Sequence, residues 1–411
     1  MDIKPPARTA PILEKIERFY AAEVRPREEA LRHRLDNHRE YLDADGRLHP
    51  EVQAARRAIM RASGREGIFS LHLPESVGGG GLTRCEMFFV EEKVYSYGVG
   101  LNPAMLGWTD GATPRLIFCS ESQRARFVTP LVKGEKTCFN AVTEPGAGSN
   151  LLDMKTAAVK KGAQWVLNGH KVMITNPFEA DVGHVLAVTD PGKGVRSFTY
   201  FQFDTREHLG RGFRHGRACP TMFDDGLTGE FFLEDLVLDE HAVIGERGGG
   251  FPIAMASINW TRMRRAGMCS AWSKYLIDRT VERVRSRQVG GHPLGSNQGV
   301  QWMVADMVLD WAQARALSLA CLQAFEASGP WWSTKRSPED IRNIALIKLS
   351  NDESFYRVAD RAVQLHGGAG IMKDTTINKL FQLARNLRIP GGTDEVQRTT
   401  IAETLGLRAR V

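Results

Sequence analysis

The strongest constraint on what this chain can fold into is a double change of hydrophobic period along its length. In the first third, Ile12, Leu13, Ile16, Phe19 and Tyr20 recur at the three-and-four spacing that lines one helix face, with Glu14, Lys15, Glu17 and Arg18 on the other. A glycine run, Gly78 to Gly81, reads as a loop, because no Lys-Ser/Thr pair or strand-to-helix frame makes it a phosphate cradle. A further helical stretch runs from Cys85 to Tyr97. From about Thr137 the texture changes to short β-type segments at 137–142, Gln164 to Leu167, Lys171 to Thr175, Val185 to Thr189, Phe198 to Phe203 and Glu230 to Leu233. Asn168-Gly169 predicts a tight hairpin turn, since this dipeptide readily takes positive φ angles. After about Gly250 the helical period returns, as an apolar stripe of Val300, Met303, Val304, Met307, Val308 and Trp311. A second late helix carries Phe355, Val358, Ala362 and Val363 and stops at Gly367-Gly368, where glycine suits a left-handed helix end. With no alternation of strand and helix in the middle third, the order predicts an α+β chain: helices, an antiparallel β unit, then a helical bundle.

Composition narrows the class. The chain's 411 residues suggest two or three domains, and 42% hydrophobic with 25% charged residues is the profile of an ordinary globular protein. No run of about 18 uncharged apolar residues occurs, and Met1-Asp2-Ile3-Lys4-Pro5-Pro6 lacks a secretory apolar stretch, so the expectation is a cytoplasmic protein without membrane partners. Cys85, Cys119, Cys138, Cys219, Cys269 and Cys321 are far apart with no CxxC pair, which argues for single reduced thiols and against a zinc ribbon. No metal set is read from the sequence. The net charge of +6, 54 basic against 48 acidic residues, is spread along the chain without an aromatic-interleaved basic patch, so nucleic acid is not an expected partner.

Four segments carry chemistry. They are Ala141-Val142-Thr143-Glu144-Pro145-Gly146-Ala147-Gly148-Ser149-Asn150; Leu167 to Asn176, which contains Met173-Ile174-Thr175; Arg287 to Gln298; and Gln364 to Gln397, with its HGGAG and GGTDEVQR ends. In order and spacing they resemble the acyl-CoA dehydrogenases, a family of FAD flavoenzymes, over nearly the whole chain and least in the first hundred residues. Gly146 and Gly148 after a strand end suit close backbone approach to a ring or phosphate, or simply a β-turn.

The resemblance implies roles residue by residue. Val142 and Thr143 meet the flavin ring edge, and Ser149 meets flavin phosphate or the pantetheine of the thioester. Met173 stands where the family usually has tryptophan; it packs on a ring but offers no indole N–H, and Ile174 and Thr175 follow it along the flavin. Arg287 suits the FAD pyrophosphate, although the family's following Phe-Gly is here Gly290-Gly291, and Gln298 comes after. Gln364, Gly367, Gly368, Thr393 and Glu395 belong to the part that reaches the FAD of a neighbouring subunit, which implies a dimer of dimers. The family's usual Arg-Asp pair is replaced by Gln382-Leu383, a departure at one subunit contact.

Both places where the family keeps its catalytic glutamate lack it. Gly391 precedes Gly392-Thr393 in the closing motif, and Thr261 precedes Arg262 in the first long helix of the last third. A desolvated carboxylate suits the proton abstraction next to the thioester, and neither glycine nor threonine replaces it. Three readings stay open: a carboxylate from another element, flavin oxidase or monooxygenase chemistry, or a base-lacking partner subunit in a hetero-oligomer. Thr261 and Arg262, with Ser149, are the expected substrate contacts, and Arg264 and Arg265 beside them read as CoA-phosphate contacts or, more simply, as a solvated helix face. Trp331-Trp332, after Gly329-Pro330, reads as a packing or interface feature of an inter-helix loop.

The expectation is thus an N-terminal helical domain over 1–135, a β domain over 136–245 and a C-terminal bundle over 246–411. The implied activity is α,β-dehydrogenation of an acyl-CoA by FAD, with hydride passing to flavin N5 and electrons leaving to an electron-transfer flavoprotein.

Overall fold

The computed structural model describes residues 3–107, 110–223 and 226–407. In chain order, the elements used below are α1 (Ala10–Phe19), α2 (Pro50–Arg65), α3 (Arg84–Tyr95), β1 (Cys138–Ala141), β2 (Ala157–Lys161), β3 (Gln164–Thr175), β4 (Val182–Val188), β5 (Phe198–Asp204), β6 (Phe213–Ala218), β7 (Thr228–Asp239) and β8 (Val243–Ile244). They continue with α4 (Gly250–Met263), α5 (Arg265–Ser286), β9 (Gln288–Val289), β10 (His292–Pro293), α6 (Gln298–Ala327), α7 (Pro338–His366), α8 (Thr376–Leu387) and α9 (Asp394–Thr404). The chain divides into two compact units, Arg39–Leu82 with Ala104–Trp260, and Met1–His38 with Thr83–Pro103 and Thr261–Val411. Among the described residues no helix is long and apolar enough to cross a membrane.

In the sheet-bearing unit the strands follow the order β6-β7-β3-β2-β4-β5-β8, with β1 also beside β4. The expected antiparallel unit is mixed in one respect: β1 pairs with β4 in parallel, Cys138 opposite Val182, and Ala157 of β2 meets Val188 of β4 in the same sense. Parallel neighbours need long connections rather than hairpins, and β1 reaches β4 only after β2 and β3. The core of this unit is aromatic. Phe139 lies 4.9 Å from Phe231 and 6.0 Å from Phe213, and Trp165, Leu167, Ile174, Phe201 and Phe203 complete it.

The hairpin expected at Asn168-Gly169 is absent. Strand β3 runs unbroken through both residues, neither takes a positive φ, and the register against β7 shifts there in a bulge. Two local demands explain the pair. Asn168 exchanges hydrogen bonds of 2.9 and 2.8 Å with Asp235 on β7, and a Cβ at Gly169 would stand 2.2 Å from Thr156 Oγ1. The β2–β3 turn instead falls at Gly162, at φ +60°. The glycine run is the loop expected of it, with Gly79 packed so closely on Leu73 that a Cβ would lie 2.1 Å from its carbonyl oxygen.

The helical unit packs α3, α5, α6 and α7 around Trp272, whose ring meets Tyr95 at 4.9 Å and Phe355 at 5.7 Å. On α1, Ile16 and Phe19 are buried as their spacing predicts. Helix α7 buries Phe355, Val358 and Ala362 and ends at Gly367, φ +61°, as the glycine pair predicts. The stripe on α6 is narrower than expected: Met307 is buried and Trp311 bonds Ser270 at 3.1 Å, but Val308 is exposed. Trp331 packs edge-on against Trp332 at 5.5 Å.

Candidate active site

The end of β1 and the middle of β3 are joined by one buried ion pair. Lys171 Nζ donates to Glu144 at 2.8 Å and to the Val142 carbonyl at 3.0 Å, and Glu144 also accepts the backbone N–H groups of Lys155 at 2.7 Å and Thr156 at 2.9 Å. Val172 N–H donates to the Thr143 carbonyl at 3.1 Å. Burial pulls the Lys171 ammonium down to about 8 against the opposing pull of Glu144. Burial raises Glu144, but the Lys171 charge and these donors outweigh it and hold the carboxyl below its ordinary range. The structure thus brings Val142 and Thr143 beside the segment carrying Met173, Ile174 and Thr175.

Met173 occupies the second bulge of β3 with φ +57° and is 59% exposed, while Ile174 turns into the core. A left-handed non-glycine residue is strained by roughly 1–3 kcal/mol, a cost that recurs at ligand-binding positions. Ser149 is exposed. Gly146 and Gly148 take no positive φ, and a Cβ on either would meet nothing within 4 Å. Neither backbone geometry nor packing within the chain requires glycine at these two points, which leaves room for a group approaching from outside. Gly367 and Gly368, in the helical unit, are equally open, although Gly367 is also needed for its left-handed φ.

Arg287 caps the end of α5, and its carbonyl accepts from Leu294 N–H at 2.7 Å, closing the β9–β10 hairpin over Gly290 and Gly291 at φ +60° and +84°. The missing Phe-Gly of the family pattern is therefore replaced by a glycine turn. Gln298 opens α6, and Arg287, Gln298 and Gln364 all present exposed side chains. Thr393 is the N-cap of α9, its hydroxyl accepting from Val396 N–H at 3.3 Å. Glu395 is exposed in the first turn, and its carboxyl is held below its ordinary range by its own backbone N–H and by the Thr393 hydroxyl. Leu383 is buried in α8 and Gln382 bonds Asn378 at 2.5 Å, so the pair that replaces Arg-Asp has local partners.

The residue after Thr261 reaches the Gly391 loop. Thr261 and Arg262 end α4, and Arg262 Nε donates to the Gly391 carbonyl at 2.7 Å across 129 residues of sequence. Arg262 is 9% exposed, and burial alone pulls its guanidinium down to about 10. Gly391 has φ +80° and Gly392 +87°. Arg264 and Arg265 depart from the solvated face expected of them. Both are buried: Arg264 bonds Tyr95 at 2.7 Å and meets Glu91 at 3.4 Å, and Arg265 meets Asp352 at 3.6 Å. Their charges are engaged in structural pairs. Burial pushes the Cys85 and Cys119 thiols up to about 12 and Cys138 to about 11.

The helix–sheet–helix order, with an open glycine turn beside β3, places the chain in the α+β class. The chain belongs to the acyl-CoA dehydrogenase family: the family's N-terminal, middle and C-terminal domain profiles match residues 9–135, 138–236 and 248–406. It is similar to the mitochondrial long-chain specific acyl-CoA dehydrogenase of Sus scrofa, 32% identical over 85% of this chain and 79% of that one. It is also similar to the (R)-benzylsuccinyl-CoA dehydrogenase of Thauera aromatica, 29% identical over 94% and 93%. Among solved structures, butyryl-CoA dehydrogenase from Megasphaera elsdenii superposes with a TM-score of 0.81 at 25% identity, covering 99% of this chain and all of that one.

Proposed function

We propose that this chain is an FAD-dependent oxidoreductase acting on an acyl-CoA thioester by α,β-dehydrogenation, with its α-proton acceptor supplied by a group other than residues 261 and 391. The observation that supports the reading is the 2.7 Å contact between Arg262 and the Gly391 carbonyl, because it joins the end of α4 to the 391 loop, the two segments in which the family keeps its base. The open Gly146-Ala147-Gly148 turn and the exposed Met173 fit a flavin ring lying against β3, with Thr143, Thr175 and the backbone of the buried Val142 and Ile174 at its edge and Ser149 toward the pantetheine. Arg287, Gln298, Gln364, Gly367, Gly368, Thr393 and Glu395 fit the adenine half, Thr261 and Arg262 the thioester. Bound FAD supplies the hydride acceptor. The chain's own residues orient the two ligands; Arg262, a buried cation, favours negative charge developing at the thioester oxygen.

Copies of the chain pair so that α7 and the 391–395 loop complete a neighbour's flavin site, and electrons leave to an electron-transfer flavoprotein in the cytoplasm. Trp302 and Leu309, on α6 and more than half exposed, supply apolar surface for such an assembly. A second reading, a base-lacking partner subunit of a hetero-oligomer, is favoured by the left-handed φ of Gly391, a backbone state that a side-chain-bearing base rarely adopts. Purification of the chain alone with its flavin content measured separates the two. A soluble oligomer with close to one flavin per chain supports the enzyme reading, and a flavin-free chain that takes up flavin only with a second chain supports the subunit reading.

A further inference from the structure

Four carbonyl oxygens of the segment between α8 and α9 are each held by a buried side chain. Lys348 Nζ donates to Arg388 O at 3.1 Å, Arg265 reaches Pro390 O at 3.5 Å, Arg262 holds Gly391 O at 2.7 Å, and Gln397 Nε2 donates to Gly392 O at 3.0 Å. The two ends of the segment meet in one carboxylate. Asp394 takes Lys348 Nζ on Oδ1 at 2.7 Å and Arg388 Nε on Oδ2 at 2.5 Å, and its own N–H returns to Arg388 O at 3.2 Å. Lys348, fully buried, is shared with the equally buried Asp352 at 2.9 Å. Burial pushes the Asp352 carboxyl up, opposed by Arg265 and Lys348.

Burying so many charges is unfavourable unless each is paired, and ending one helix and starting another requires none of them. The segment they enclose contains a glycine pair, which left alone has more backbone freedom than any other dipeptide. A clamp at both ends and at the Pro390, Gly391 and Gly392 carbonyls between them removes that freedom.

We propose that Asp394 is a positioning residue: bridging Lys348 and Arg388, it fixes the Gly391-Gly392-Thr393 backbone and the start of α9 in the one conformation that presents Thr393 and Glu395 to flavin. This rests on the reading of Thr393 and Glu395 as flavin contacts given above. Asp394→Asn keeps the side-chain shape and one acceptor for Lys348 while removing the charge that binds both ends. Arg388→Met opens the same clamp from its partly exposed side and is the variant to use where the asparagine chain does not fold.

The experiment is flavin titration of the full-length flavin-free chain, followed by fluorescence quenching and the visible spectrum, alongside thermal unfolding of the flavin-free forms. The expected result is flavin binding weakened by about tenfold or more, with a shifted flavin band and a flavin-free Tm close to that of the unsubstituted chain. Unchanged affinity and spectrum, or affinity lost only in step with a fallen flavin-free Tm, overturns the proposal. Thr393→Val and Glu395→Gln measured in parallel tell the failures apart. If they bind flavin like the unsubstituted chain, the flavin-contact reading fails and the proposal with it; if they bind weakly while both clamp variants bind normally, the positioning role alone fails.

Discussion

At the scale of the residue, the absent base divides into two unequal positions. Thr261 is in α4, where glutamate is accommodated without backbone strain, whereas Gly391 at φ +80° imposes about 1–2 kcal/mol on any residue with a Cβ. Thr261→Glu should therefore accelerate flavin reduction by an acyl-CoA by roughly 10²-fold, the lower range of general-base catalysis. Gly391→Glu should gain less and lower the Tm; stopped-flow rates for the pair check this, and equal gains from both would contradict it. Lys171 offers a pH test. Its folded-state value of about 8 lies below the ordinary 10.5, so the unfolded chain binds more protons between those limits and this residue's contribution to stability rises with pH across that window. The stability difference between the unsubstituted chain and Lys171→Met should move in favour of lysine by up to about 1.4 kcal/mol per pH unit there. A difference that is flat from pH 8 to 10 in denaturant titrations would show that the ammonium is not desolvated. Thr261 and Gly391 draw notice in the sequence because they fall in the segments that carry the family resemblance. The partnerships of Lys171 with Glu144, 27 residues away, and of Lys348 with Asp394, 46 away, were not, since one sequence carries no signal for which distant charges are buried together.

At the scale of the element, period and helix-ending chemistry read well where local physics decides the outcome. Helix α7 stops at Gly367, whose φ of +61° suits glycine although its ψ of −136° is outside the left-handed helical region, and the apolar spacing on α1 finds Ile16 and Phe19. Asn168-Gly169 shows the opposite case: a strong turn signal overridden by partners across the sheet, Asp235 for the asparagine and Thr156 for the glycine. Gly183 makes the same point inside β4. A Cβ there would stand 2.6 Å from Phe139 Cζ and 2.7 Å from the Phe203 ring, so glycine is kept by the aromatic core rather than by any turn. Gly183→Ala should cost about 1–3 kcal/mol of stability by overpacking, measured by denaturant unfolding. No loss would mean that the rings of β1 and β5 have space the packing does not show.

At the scale of the whole molecule, the succession of helices, sheet and helices is visible from hydrophobic period alone, while the parallel β1–β4 pairing is not, because its partners are separated by two strands. The family is legible through four segments placed along the chain in a fixed order, even with Met173, Gly290 and Leu383 departing from the usual residues. What the fold adds is the contact of Arg262 on α4 with the Gly391 carbonyl. The central claim is that this centre still passes hydride to flavin although neither position supplies a base. Anaerobic titration of the flavin-loaded chain with a panel of straight, branched and aromatic acyl-CoAs tests it most directly. The flavin band should bleach, slowly, with at least one thioester, and faster in Thr261→Glu; a flavin that stays oxidised with every thioester in both chains would contradict hydride transfer at this centre.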